Sequence, residues 1–282
     1  MGSLLRPDGR TLAYREVGDG PPLLCHPGGP GFAGAYLEDL PGALPDRRLI
    51  LVDPRGTGAS DQPSSADAYR LEDYAADVEA LREHLGLDAF DFLGHSHGSL
   101  VGLLYAAEHP PRLRQMLLIA TGARFHEEQL EAMEAAMEKR SGEPWFADAS
   151  AALLAEEAGD FADDDELGRL VARELPFYFA RFGERERAFV ERALELPIHG
   201  AALKHFNQHE FRTFDLRPVL DRIRARTLIV VGAEDFILGR SSAAEVAEVI
   251  PEAKMIELPG VGHFPWVEDP SAFRDAVASF DA

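Results

Sequence analysis

The stretch Gly94-His95-Ser96-His97-Gly98-Ser99 sets one small hydroxyl between two histidines and two glycines, directly after a short apolar run. A serine hydroxyl attacks an acyl carbon only when a base takes its proton and a carboxylate holds that base. Two downstream residues complete such a set. Asp235 follows the apolar run of "LIVVGAEDFI", and His263 follows that of "IELPGVGHFPW". The implied chemistry is nucleophilic attack through an acyl-enzyme, with Ser96 as nucleophile, His263 as proton shuttle and Asp235 as its orienting acid.

For these three side chains to meet, each must stand at the carboxyl end of a strand in one sheet. The sequence supplies the strands as short apolar runs at 22–26, 48–53, 89–94, 115–120, 227–232 and 253–258. Between them lie helical patterns, clearest at 71–87, where Leu71, Tyr74, Val78, Leu81 and Leu85 recur at steps of three and four. Alternating strand and helix predicts βαβ units with right-handed crossovers, hence an α/β, mostly parallel, doubly wound sheet. Glycines two residues either side of Ser96 suit a tight strand-to-helix turn, with "FDFLG" as strand and "LVGLLYAAEHP" as helix ended by proline.

The alternation stops between residues 124 and 215, where the composition turns helix-rich and acidic, and resumes afterwards. The expected organisation is a core of residues 1–123 and 216–282 with a helical cap inserted at 124–215.

Composition bounds the function. With 28 Lys and Arg against 49 Asp and Glu, the net charge of −21 repels nucleic acid and anionic membrane, so neither is expected as a partner. No run approaches the ~20 apolar residues of a membrane span. The beginning, "MGSLLRPDGRTLAY", lacks the apolar region of an export signal, which makes a cytoplasmic location the expectation. Cys25 is the single cysteine, so an internal disulfide is impossible and a buried strand position is expected. His95 with His97, and His205 with His209, carry no third-ligand pattern, so no metal is expected.

Three stretches carry a resemblance. "HPGGPG" (26–31), "DPRGTGAS" (53–60) and "GHSHGS" (94–99) resemble motifs of the α/β-hydrolase superfamily, and within it of the proline iminopeptidase family. The order Ser, Asp, His is the order of that superfamily. The resemblance implies an oxyanion hole built from backbone N–H groups of Gly29 and His97, with Gly28 next in line. It implies that cap glutamates, Glu174 in "ARELPFYF" and Glu210 in "HEFRTFDLRPVL", bind the free amino group of a short peptide. It also implies that no cofactor is needed. The chain departs from the family at Pro27, which is inserted after His26, and at His97, where those peptidases usually carry tryptophan. The alternative is a carboxylesterase, lactonase or carbon-carbon bond hydrolase acting on a small apolar substrate with the same triad, because substrate choice lives in the cap. Relatives with Asp at the elbow, such as the haloalkane dehalogenases, are disfavoured because Ser96 is not a carboxylate. Asp53 and Arg55 are expected to organise loops.

Overall fold

The computed structural model describes residues 1–38, 40–65, 67–278 and 280. Eight strands form one sheet: β1 (Gly2–Leu5), β2 (Thr11–Val17), β3 (Pro22–His26), β4 (Arg48–Asp53), β5 (Phe90–His95), β6 (Leu113–Ile119), β7 (Arg226–Gly232) and β8 (Lys254–Leu258). Their spatial order is β1-β2-β4-β3-β5-β6-β7-β8. From β4 to β8 every neighbouring pair is parallel, while β1–β2 and β2–β4 are antiparallel. All six runs expected as strands are strands, and Cys25 lies buried in β3.

The antiparallel pair at the amino end was not among the expected strands. β1 is four residues of an edge strand, and β2, "TLAYREV", mixes charged and apolar residues on a half-exposed face, so neither shows the apolar run of a buried parallel strand.

Alternation along each strand feeds two layers. On β3, Leu24 enters one core cluster and Leu23 and Cys25 the other; on β7, Ile229 and Val231 face one way and Leu228 and Val230 the opposite way. Helices α1 (Leu71–His84) and α2 (His97–Glu108) cover the first face. The pattern expected as helix to residue 87 stops earlier, because Gly86 takes a left-handed φ of 66° and closes the carboxyl end.

Between β6 and β7 the chain makes a helical excursion: α3 (Glu127–Glu138), α4 (Phe146–Glu157), α5 (Asp164–Glu174), α6 (Glu184–Ala193), α7 (Gly200–His205) and α8 (Arg217–Leu220). An isolated antiparallel bridge joins Arg124 to Asp215, so departing and returning strands of the excursion lie side by side. After β7 come α9 (Arg240–Val249), β8, α10 (Pro265–Glu268) and α11 (Pro270–Val277), the last capped by the Asp269 carboxylate accepting from the N–H of Ala272. Among the described residues no helix is long and apolar enough to cross a membrane.

Strand order reverses at β3, which sits between β4 and β5. The loops leaving β3 and β5 therefore diverge around one crevice, the place where doubly wound sheets bind ligands. The "DPRGTGAS" turn after β4 supports that rim from below. Asp53 accepts from the N–H groups of Gly34 and Ala59, both at 3.0 Å. Buried Arg55 pairs with Asp77 at 2.7 Å and donates to the carbonyls of Ala68 and Asp73 at 2.6 Å. Asp53 thus holds loops together, while Arg55 ties its turn to α1. Replacing Arg55 by Ala leaves Asp77 buried with Arg6 as its remaining ion-pair partner among the described residues, and is expected to cost about 3–5 kcal/mol in denaturant unfolding.

Candidate active site

Ser96 joins β5 to α2 with φ 53° and ψ −122°, a backbone state that L residues hold only where their surroundings over-determine it. The surroundings do so. Its N–H donates to the carbonyl of Ile119 at the end of β6 (2.9 Å), and Ser99 Oγ donates to its carbonyl at 2.6 Å. A Cβ at Gly98 would stand 2.3 Å from the His26 carbonyl oxygen and 2.5 Å from that of Pro27, so only glycine lets α2 lie against the loop after β3.

At the start of α2 the His97 N–H is one of the unpaired first-turn donors of a helix. Among the described residues neither it nor the Gly29 N–H has a hydrogen-bond partner, and Gly29 lines the cavity in front of Ser96. Gly28 differs from its two companions. Its N–H donates to the Tyr36 hydroxyl and is spent there, so the structure leaves Gly29 and His97 as the open donors.

Asp235 and His263 meet as expected from the loops after β7 and β8. Asp235 Oδ2 accepts from His263 Nδ1 at 2.9 Å, while Oδ1 accepts from the N–H groups of Ile237 (3.0 Å) and Leu238 (3.1 Å). A carboxylate facing Nδ1 puts the ring proton there and leaves the lone pair on Nε2. Ser96 and His263 line one cavity of about 90 Å³. Among the described residues no hydrogen bond joins Ser96 Oγ to the imidazole; in unliganded sites this contact is often long and tightens on binding.

The two histidines beside Ser96 do different things. His95 is buried, and burial followed by the neighbouring His263 drives its pKa well below the ordinary histidine value. Held neutral, it bridges three loops: the Tyr36 hydroxyl donates to Nδ1 at 2.7 Å, and Nε2–H donates to the His263 carbonyl at 2.9 Å. Sequence reasoning missed this link, because Tyr36 is 59 residues away and nothing in its spacing marks it. The His97 ring turns away from the cavity and lies edge-on to Tyr74 and Phe206; burial pushes its pKa down to about 3. Among the described residues no group of three or more His, Cys, Asp or Glu could hold a metal ion.

The excursion supplies the roof. Aromatic Phe32, Tyr178, Phe189 and Phe264 wall the cavity, and Glu174 enters it from the end of α5. Glu174 is 3% exposed and its Oε2 has no hydrogen-bond partner. It also lines an adjoining chamber of about 150 Å³ that holds Glu156, Glu157 and Arg212. Burial, followed by Glu156 and Glu157, lifts the Glu174 carboxyl well above the usual range. Burial likewise lifts Glu156 to about 7, against one hydrogen bond from Asn207.

Glu210 is not brought to this cavity. Its Oε1 accepts from the Leu71 N–H at 2.9 Å, at the start of α1, and it lines a separate cleft with His205 and His209. The partners of Glu174 are instead Glu156 and Glu157 on α4, which the sequence reading did not select from a glutamate-rich segment.

These raised carboxyl pKa values fix a sign. A folded state that binds protons more tightly than the unfolded chain gains stability below the unfolded pKa and loses it as pH rises through the folded one. For Glu156 the window runs from the ordinary glutamate value of 4.5 to about 7. The melting temperature is expected to fall between these pH values, and Glu156→Gln to flatten that fall, as read by calorimetry across the range.

The alpha/beta hydrolase fold family model matches residues 21–270 of the chain. A 2-(acetamidomethylene)succinate hydrolase from Mesorhizobium japonicum is 27% identical over 271 residues, covering 96% of this chain and 91% of that protein. A proline iminopeptidase from Levilactobacillus brevis is 25% identical over 280 residues, covering 93% and 89%. The crystal structure of a hydrolase from Pseudomonas aeruginosa superposes with a TM-score of 0.75 at 27% identity, covering 100% of this chain and 98% of that one. With the elbow, the parallel sheet and the family match in agreement, this chain belongs to the alpha/beta hydrolase fold family.

Proposed function

We propose that this hydrolase acts through Ser96, His263 and Asp235, and that it releases an acyl group bearing a free amine from a small substrate, in the manner of a proline iminopeptidase acting on short peptides. The carrying observation is Glu174: a buried carboxyl whose Oε2 has no hydrogen-bond partner among the described residues, in the same cavity as Ser96. An isolated buried carboxyl is costly, and an ammonium that reaches it recovers a charge-assisted hydrogen bond. Glu156, which lines the second chamber together with Glu174, adds a second acceptor.

In this reading the cap at 124–215 measures the distance from amine to scissile carbonyl. His263 Nε2 takes the Ser96 proton as Oγ attacks, and the developing oxyanion meets the N–H groups of His97 and Gly29. His263 then protonates the leaving amine, and the acyl-enzyme is released by water activated at the same nitrogen.

A second reading keeps the triad and changes the acyl group. The wall of Phe32, Phe189 and Phe264 suits a small apolar ester, lactone or ketone as well as an imino ring.

Prolyl and alanyl aminoacyl reporters assayed beside short-chain esters separate the two. Ser96→Ala is expected to lower turnover by 10³-fold or more, roughly as triad loss does elsewhere. Ester turnover with no aminoacyl turnover discards the amine reading. Glu174→Gln is expected to raise KM for free-amine substrates about tenfold, with little change for N-blocked ones; equal changes for both remove Glu174 from the amine site.

A further inference from the structure

The loop that carries His263 is tied to the roof of the site by one side chain. Glu268, at the end of α10, accepts from the N–H of Gly262 through Oε1 at 2.8 Å and from the N–H of Ala180 through Oε2 at 2.7 Å. Gly262 immediately precedes His263, and Ala180 follows the short 3-10 turn Leu175–Tyr178 that leads out of α5. A further link closes the ring: the His263 N–H donates to the Tyr178 carbonyl at 2.7 Å. The two backbones are in contact, since a Cβ at Gly262 would lie 2.5 Å from the Tyr178 oxygen and 2.9 Å from the Ala180 nitrogen.

We infer that Glu268 is a positioning residue, whose ionised carboxylate clamps the His263 loop to the segment 178–180 so that the placement of His263 depends on the charge state of Glu268. The inference rests on the reading of His263 as the base, and is independent of which substrate is cleaved.

A carboxylate serves both N–H groups, one per oxygen. A carboxylic acid serves them less well, because its hydroxyl oxygen is the poorer acceptor and the bonds lose their charge assistance. Protonation therefore weakens the clamp. Burial raises this carboxyl to about 7, against the pull of the N–H bonds from Ala180, Gly262 and Phe264, with Glu186 adding to the rise. The guanidiniums on this side keep their charge throughout the relevant range. Arg185, on α6, donates to the Glu268 carbonyl at 3.2 Å. Arg140, beyond α3, donates to the carbonyls of Phe177 and Glu234 and so ties the same roof segment to the Asp235 loop. Between them, Glu268 and Arg140 hold the loops of base and acid to one stretch of chain.

The test is the pH dependence of Ser96 labelling by a fluorophosphonate probe, which needs Ser96 and His263 but no amine. In the wild type the log rate against pH is expected to show, besides the fall that loss of the free base imposes, a bounded step of about tenfold as Glu268 is protonated. Glu268→Gln is expected to label about tenfold more slowly at the plateau, since displacements near 1 Å at a site cost up to ~10²-fold, and to lose the step. Glu186→Gln, which keeps both clamp hydrogen bonds, is expected to leave the plateau unchanged and to move the step to lower pH. A wild-type profile without the step overturns the inference even if Glu268→Gln fails to fold, as does a step that persists in a folded Glu268→Gln. Absence of labelling in the wild type overturns this inference together with the triad, whereas labelling without aminoacyl turnover removes the amine reading alone.

Discussion

The contact on which the site depends is between α2 and the loop after β3. The His26 and Pro27 carbonyls approach Gly98 so closely that no side chain fits between them. That approach brings the Gly29 N–H beside the start of α2, and it is the reason the strained φ of Ser96 is tolerated. An oxyanion needs donors from two separate parts of the chain, and here both parts are fixed by the same packing contact. Were the loop free to drift, the helix N-terminus would still offer one donor and the second would be lost.

Around that contact the polar network is unusually dry. His26, His95 and His97 all lie buried close to Ser96, and burial lowers all three pKa values. Neutral imidazoles can each donate and accept, which lets His95 join the Tyr36 hydroxyl to the His263 carbonyl without placing a charge beside the base. The arrangement separates tasks. Among the described residues His263 alone of the histidines near Ser96 faces a carboxylate, and that contact sets the tautomer that the proposed general base requires.

The roof works by the opposite means, because it leaves buried polar groups short of partners. Glu174 and Glu156 gain little from the fold itself: burial disfavours their ionised forms, and one Glu174 oxygen has no donor. Buried polar groups of this kind persist when something other than stability retains them. Glu268 is a different case. It too is held by burial above the ordinary range, yet both of its oxygens are occupied by backbone N–H groups.

Much of this was legible in the linear sequence. Apolar-run signals located β3 to β8, and the glycines around Ser96, together with acidic and histidine residues after later strands, marked the proposed triad. Those signals are local: a buried parallel strand must be apolar throughout, and a tight elbow must be nearly free of side chains at fixed offsets. The edge strands β1 and β2 escaped because half-exposed strands carry no such signature. What only the tertiary structure decided are the pairings between distant loops. Glu210 and Glu156 are both glutamates in an acidic helical stretch, and nothing in their spacing says that one faces the Leu71 N–H and the other the chamber beside Glu174. The same holds for Gly28, whose N–H is taken by Tyr36, and for Glu268, whose partners lie on two separate loops. A side chain's type and period determine whether it is buried; the crossing of helices and loops determines which atom it meets there.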